Sequence, residues 1–144
     1  MENYTVTEML TDRDRSELYE RLLEYNLARI EDKNPKELGI FLHNDNGEKT
    51  AGLIGSTHGN WLEVDYLWVS EALRGKGIGS EILRVAEETA KSRGCKYVFL
   101  NTFGFQAPGF YEKHGYELKF VLTEYPLSGK RYYYTKTLCD MPDK

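Results

Sequence analysis

A glycine-rich segment in the middle of the chain constrains the fold more than any other feature. Residues 74–79 read Arg-Gly-Lys-Gly-Ile-Gly, after an apolar strand-like run at 62–69 and before a run with helical periodicity at 78–93. A strand, a glycine turn and a long helix form one α/β unit. Glycines let backbone N–H groups converge on a ligand, and a helix N-terminus carries partial positive charge. The segment therefore predicts a site for a phosphate or diphosphate group.

Three kinds of glycine-rich phosphate loop can be compared with this segment. A Walker loop is excluded because no Lys-Ser or Lys-Thr pair follows the appropriate glycine. A dinucleotide fingerprint fails because Ser80 replaces its third glycine and the next strand, 96–100, ends in Asn101-Thr102 without a carboxylate. The pattern Arg/Gln-x-x-Gly-x-Gly/Ala is matched by Arg74, Gly77 and Gly79. A glycine-rich helix start that binds nothing is the remaining alternative.

A second motif follows the loop at residues 107–116, which read Ala-Pro-Gly-Phe-Tyr-Glu-Lys-His-Gly-Tyr. With Leu67-Trp68-Val69 before the loop, the two motifs resemble those of the GNAT family of N-acetyltransferases, most strongly over residues 63–116. The family's second signature is Ala-x-x-Phe-Tyr-x-x-x-Gly-Phe, and this chain has tyrosine in the last position. Ser70-Glu71-Ala72 departs from the proline-containing run that many members carry before the loop.

The resemblance implies that acetyl-CoA binds as the acyl donor. The loop would hold its diphosphate through Arg74, Gly75, Lys76, Gly77, Ile78, Gly79 and Ser80. The backbones of Leu67 and Val69, with Asn101, would bind the pantetheine arm, and Lys113 would approach the adenine or ribose phosphate. The Val69 N–H would polarise the thioester carbonyl, and a preorganised donor of this kind contributes about 3 kcal/mol.

The resemblance also implies an acid and a base. Tyr111, in the second motif, matches the general acid that protonates the leaving thiolate. Glu63 lies where family members carry a glutamate base, and Asp65 is the alternative; either would act directly, through a water, or by attracting a cationic amine. Residues two apart in a strand share a face, so both carboxylates are expected on the face of Leu67 and Val69. An exposed or salt-bridged strand pair is the competing interpretation.

The order of the predicted elements gives the fold class. An edge strand at 4–9, a helix from Asp12 or Asp14 to about Glu31, and strands at 38–43, 49–57 and 62–69 precede the loop. A strand at 96–101, a short helix at 106–114 and strands at 116–123 and 131–138 follow. We predict an α/β (α+β) fold with a mixed, mostly antiparallel central sheet and helices on both faces. One domain would span residues 1–140, with a short tail at 141–144.

Composition restricts the partners. A net charge of −4 over 144 residues argues against nucleic acid, and no apolar run reaches membrane length. The polar N-terminus and two cysteines, Cys95 and Cys139, are typical of a cytoplasmic protein with reduced thiols. The three histidines are scattered, so no metal is expected.

These observations predict an acetyl-CoA-dependent N-acetyltransferase acting on a primary amine of a small molecule or peptide. A coenzyme A-binding module or sensor without catalysis, and an acyltransferase with a longer acyl donor, stay open as alternatives. A homodimer also stays open.

Overall fold

The computed structural model describes residues 3–31, 34–106 and 108–138, and the chain divides into two compact units, 1–33 and 34–144. The prediction of one domain over residues 1–140 stays a prediction. Ala107, Cys139 and the predicted tail at 141–144 lie outside the described residues. None of the described helices is long and apolar enough to cross a membrane.

The first unit contains helix α1, Asp12–Leu27. Its N-cap is Thr11 rather than the predicted Asp12 or Asp14. The Thr11 hydroxyl accepts from the Asp14 N–H, and the Asp14 carboxylate accepts from the Thr11 N–H at 3.0 Å, forming a capping box. These bonds lower the pKa of Asp14. The predicted strand at 4–9 is wrong, since residues 4–9 pair with no strand. The Met9 N–H instead donates to the Thr7 hydroxyl at 2.9 Å, a local bond that competes with strand pairing.

Within residues 34–106 and 108–138, the second unit contains six strands and two α-helices. In chain order they are β1 (Lys36–His43), β2 (Lys49–His58), β3 (Trp61–Val69), α2 (Ile78–Ser92), β4 (Tyr97–Phe103), α3 (Pro108–Lys113), β5 (Glu117–Thr123) and β6 (Lys130–Thr137). Short 3-10 helices at Glu71–Leu73 and Gly104–Gln106 were not predicted. The strand order is β1-β2-β3-β4-β6-β5, and only β3 and β4 pair in parallel. The predicted mixed, mostly antiparallel sheet is therefore confirmed.

The β1–β2 hairpin turns at residues 44–47, which read Asn-Asp-Asn-Gly, between the two predicted strands. The Asn44 carbonyl accepts from the Gly47 N–H at 3.0 Å, and Gly47 has a φ of 83°. Asparagine begins the turn and glycine supplies the left-handed conformation, as hairpin loops require.

The sheet has two chemically different faces. The core face carries buried Leu53, Leu62, Val98, Leu100 and Tyr134, against which α2 packs its apolar side. That helical side consists of Ile82, Leu83, Ala86 and Ala90, spaced as the sequence predicts. The second face carries the side chains that alternate with these, several of them aromatic or charged.

Candidate functional site

The sheet opens between β3 and β4. These strands pair only at Trp61–Tyr97, Leu62–Val98 and Glu63–Phe99. Beyond Glu63 and Phe99 both strands continue without pairing to each other, so their carboxyl ends separate and leave a gap. In open sheets ligands bind beyond the carboxyl ends of strands at such a point. Unpaired backbone N–H and C=O groups facing the gap can bond an extended ligand as another strand would.

A β-bulge at Asp65 changes which side chains share a face. Ile54 pairs with Tyr66 and Gly55 with Val64, so Asp65 has no partner on β2. One extra residue reverses the alternation of side chains along β3. Leu67 therefore lies on the core face with Val64, whereas Glu63 lies on the second face. The expectation that Glu63 shares a face with Leu67 and Val69 is wrong for this reason.

Both carboxylates of β3 are exposed. Glu63 is opposite Ser56 on β2 and Phe99 on β4, at the last parallel pair before the gap. Gly55 permits a close approach of the two strands at the bulge, because a Cβ there would collide with the Glu63 carbonyl oxygen. Both side chains are therefore accessible to an amine.

The glycine segment forms an open cradle of backbone donors between β3 and α2. Gly75 and Gly77 have φ values of 79° and 80°, and a Cβ at either position would meet nothing within 4 Å. Among the described residues, no N–H group from Gly75 to Ser80 donates a hydrogen bond to another residue of the chain. Successive unpaired N–H groups at a helix N-terminus are well suited to a phosphate.

The charged and polar side chains around this cradle differ in their roles. The Nε of Arg74 donates to the Val69 carbonyl at 3.0 Å, which ties the loop to the end of β3. Lys76 and Lys113 are exposed. The Ser80 hydroxyl is hydrogen-bonded to Nε2 of His114 at 2.9 Å, and the His114 ring lies 4.7 Å from that of Phe110.

His114 is not among the predicted site residues, because three scattered histidines indicate no set of ligands. Its place in the second motif, four residues after Phe110, was the available signal.

Tyr111 lies in α3 with its ring buried and only 8% of the residue exposed. The ring packs against those of Tyr116 and Tyr134, with centroids 5.7 and 6.1 Å away. Its hydroxyl has no hydrogen-bond partner among the described residues. Every fully buried side-chain nitrogen or oxygen in the described residues does have a partner, so the Tyr111 hydroxyl oxygen is not fully buried. The hydroxyl oxygen therefore reaches the protein surface. Burial raises the pKa of Tyr111 to about 12, so the phenol keeps its proton at neutral pH.

Two further tyrosines hold this region together. Tyr134 is fully buried and donates to the Glu112 carboxylate at 2.8 Å, which joins β6 to α3. Tyr116 donates to Glu87 of α2 at 2.7 Å. Burial first, and then the neighbouring carboxylate, raises the pKa of both hydroxyls. The two helices and β6 are thus joined by hydrogen bonds that use protonated phenols.

Asn101 lies on β4 beyond its last pair with β3, and its side chain points to the second face. Its Oδ1 accepts from Nε of Arg131 at 2.8 Å. The Nδ2 group of Asn101, and its backbone on the side of β3, remain for a role at the pantetheine arm, because Oδ1 already accepts from Arg131. Among the described residues, no group of three or more His, Cys, Asp or Glu side chains could hold a metal ion.

Comparison with known proteins gives a consistent result. The model of the acetyltransferase (GNAT) family matches residues 4–116. The chain is 35% identical over 114 residues to an acetyltransferase of Agrobacterium fabrum, a match that covers 79% of this chain and 83% of that protein. It is 42% identical over 83 residues to the blasticidin-S acetyltransferase of Streptomyces morookaense, covering 57% of this chain and 61% of that protein. A crystal structure from Agrobacterium tumefaciens has a TM-score of 0.87 at 32% identity, covering 94% of this chain and 99% of that one.

Proposed function

The chain belongs to the GNAT acetyltransferase family, and we propose that it transfers the acetyl group of acetyl-CoA to a primary amine of a small molecule. The observation that carries this proposal is the run of unpaired N–H groups from Gly75 to Ser80, beside the gap between β3 and β4. When bound, acetyl-CoA supplies an activated thioester; the residues of the chain supply orientation and proton transfer.

The cradle and the gap fit the two ends of this donor. The N–H groups of Gly75 to Ser80, with the N-terminus of α2, would take the diphosphate. The side of β3 that faces β4, which is unpaired from Val64 to Val69, would accept the pantetheine arm as an additional strand. The exposed side chains of Lys76 and Lys113 would reach the remaining phosphate. The space beside Gly75 and Gly77 is open, because a Cβ at either residue would meet nothing within 4 Å.

The base would come from the second face of β3. An alkyl ammonium must lose a proton before it attacks a thioester. Glu63 lies at the last β3–β4 pair and Asp65 in the bulge, so both carboxylates flank the start of the gap. Either can attract the ammonium and accept its proton, directly or through water. Because Asp65 is unpaired with β2, its side chain has more freedom to turn towards the gap.

The acid would be Tyr111. Its buried ring fixes the orientation of the side chain, and its hydroxyl oxygen reaches the surface without an internal partner. Because burial raises its pKa to about 12, the phenol is fully protonated at neutral pH. It would give that proton to the departing thiolate as the carbon–sulfur bond breaks and the new amide forms.

The acceptor is proposed as a small amine. The relative from Streptomyces morookaense is named for acetylation of blasticidin S. We therefore include that antibiotic in the first panel of acceptors, beside simple amines and amino acids.

Release of free thiol from acetyl-CoA, measured over this panel, tests the proposal. The account predicts amine-dependent thiol release that Tyr111→Phe slows markedly while coenzyme A binding persists. Tight binding of coenzyme A with no turnover on any amine would favour a binding or sensor module. A matching panel of longer acyl donors measures acyl-chain preference.

A further inference from the structure

A cationic cluster on the second face remains unexplained by this proposal. Arg131, on β6, is half-buried and reaches across to β4. Its Nε donates to Oδ1 of Asn101 at 2.8 Å, and its Nη1 donates to the Tyr125 hydroxyl at 3.0 Å. These two bonds fix the plane of the guanidinium.

Three aromatic rings surround this group. The guanidinium carbon lies 5.6 Å from the ring centroid of Phe103, 5.3 Å from that of Tyr125 and 5.5 Å from that of Tyr133. Such rings attract a cation while excluding water from it. The loop that presents Tyr125 is tightly closed: its N–H donates to the Gly129 carbonyl at 2.9 Å, and Glu124 adopts a φ of 54°. A non-glycine residue in this conformation is strained, and such strain is concentrated at functional sites.

The cluster lacks an anion. Across residues 34–106 and 108–138, no carboxylate forms an ion pair with Arg131; its hydrogen-bond partners there are a neutral amide and a neutral phenol. A guanidinium has five N–H donors in a planar fork, so two bonds leave its Nη2 side available. A partly desolvated guanidinium of this kind is a strong binder of carboxylates, which it contacts in bidentate fashion.

The position of the cluster relates it to the proposed acceptor site. Asn101 follows Phe99, the partner of Glu63, by two residues and projects from the same face. Two residues of strand correspond to about 7 Å. Glu63 on β3 and Asn101, which holds the guanidinium of Arg131, therefore lie on the same face at opposite sides of the gap.

We propose that Arg131 binds a carboxylate of the acceptor, so that the substrate class is amines that also carry a carboxyl group. This inference rests on the proposed N-acetyltransferase function. Glu63 and Asp65 would attract the ammonium end of such a zwitterion, and Arg131 its carboxylate end. The carboxylates of β3 alone would select only a cationic amine; the cluster around Arg131 adds the requirement for a negative group.

The test compares matched acceptors that differ only in the carboxyl group. Glycine, β-alanine and L-phenylalanine are each assayed beside their carboxamides by thiol release, in the wild type and in Arg131→Gln, Arg131→Lys and Lys130→Gln. Lys130 is the adjacent, exposed cation on the same strand, and it contacts neither Asn101 nor Tyr125 in the described bonds. Taking the ratio of acid to carboxamide within each protein cancels differences in amine reactivity.

We expect Arg131→Gln to lower kcat/KM for the acids about 10- to 100-fold, mainly through KM, and to change it for the carboxamides by no more than about twofold. Arg131→Lys should recover part of the loss, because it keeps the charge without the fork. Lys130→Gln should leave the ratio unchanged. Coenzyme A affinity should be equal in all four proteins.

Several outcomes would overturn the inference. Equal losses for acids and carboxamides would give Arg131 a structural role only. The inference would also be refuted if the wild type acetylated carboxamides as well as acids, or acetylated only acceptors without a carboxyl group. Either result would leave the proposed N-acetyl transfer intact. A protein that binds coenzyme A and acetylates no amine in any panel would refute both proposals.

Discussion

Replacing Gly77 by alanine should weaken coenzyme A binding more than it weakens the fold. Gly77 has a φ of 80°, where an alanine costs about 1–2 kcal/mol, and its missing Cβ would meet nothing within 4 Å. The penalty is therefore conformational and not steric. Since no described residue accepts a hydrogen bond from the N–H groups of Gly75 to Ser80, the loop can relax to escape the strain.

That relaxation determines where the penalty appears. A loop that prefers another conformation by 1–2 kcal/mol holds the binding-competent form in a correspondingly smaller fraction of molecules. The dissociation constant for coenzyme A should then rise about 5- to 30-fold, measured by titration calorimetry. The free energy of unfolding, from urea denaturation, should change by less than about 1 kcal/mol.

Two other glycines supply matched controls. Gly47→Ala introduces the same strain at a φ of 83°, again with open space, but within a hairpin closed by the Asn44–Gly47 bond. It should lose about 1–2 kcal/mol of stability and keep its coenzyme A affinity. Gly79→Ala should change neither, because its Cβ would lie at ordinary distances of 3.5 Å from Phe110 and 3.6 Å from Val69. A Gly77→Ala protein that binds coenzyme A as tightly as the wild type refutes the reasoning.

Three further predictions concern the acid, the base and the support of the helices. Tyr111→Phe should reduce the loss of stability at alkaline pH. The raised pKa of about 12 stabilises the fold below pH 10, and this contribution, about 2–3 kcal/mol, is lost in the wild type between pH 10 and 12. Tyr116 and Tyr134 still titrate in the variant, so urea titrations should show a smaller loss and not its absence. Glu63→Gln and Asp65→Asn should differ in the pH dependence of kcat/KM. Replacing the residue that acts as the base should abolish the fall in kcat/KM at acidic pH, and the other replacement should keep it. If both variants keep the same fall, neither residue is the base. Glu87→Ala should lower the free energy of unfolding by about 3 kcal/mol, because the largely buried Glu87 carboxylate binds Lys136 at 2.9 Å and the Tyr116 hydroxyl. Glu81→Ala, which removes an exposed carboxylate paired with Arg84, should lower it by less than about 1 kcal/mol. Similar losses in the two variants, measured by urea denaturation, would contradict this.

Most elements of the fold could be predicted because their signals are local. The helix α2 follows from apolar residues at helical spacing after a glycine turn, and the β1–β2 hairpin follows from Asn44 to Gly47. The strand predicted at 4–9 failed since a strand depends on a partner elsewhere in the chain, which local composition does not reveal. The additional turn of 3-10 helix after β3 also left no distinct pattern.

The candidate site divides in the same way. The cradle residues and Tyr111 belong to contiguous motifs, so their spacing alone indicated them. The bulge at Asp65 reversed the predicted face because register is set by pairing with β2, and a two-residue period says nothing about an inserted residue. Arg131 was not predicted at all: its surroundings come from Asn101, 30 residues earlier in the sequence, and from rings on β4, on the segment before β6 and on β6 itself.

The central claim is that the loop around Gly77 holds the diphosphate of coenzyme A and so directs its sulfur towards Tyr111. A crystal structure with bound acetyl-CoA tests this most directly. The account predicts diphosphate oxygens within hydrogen-bond distance, about 3 Å, of N–H groups between Gly75 and Ser80, with the sulfur next to the Tyr111 hydroxyl. A diphosphate bound elsewhere, or a sulfur remote from that hydroxyl, would contradict it.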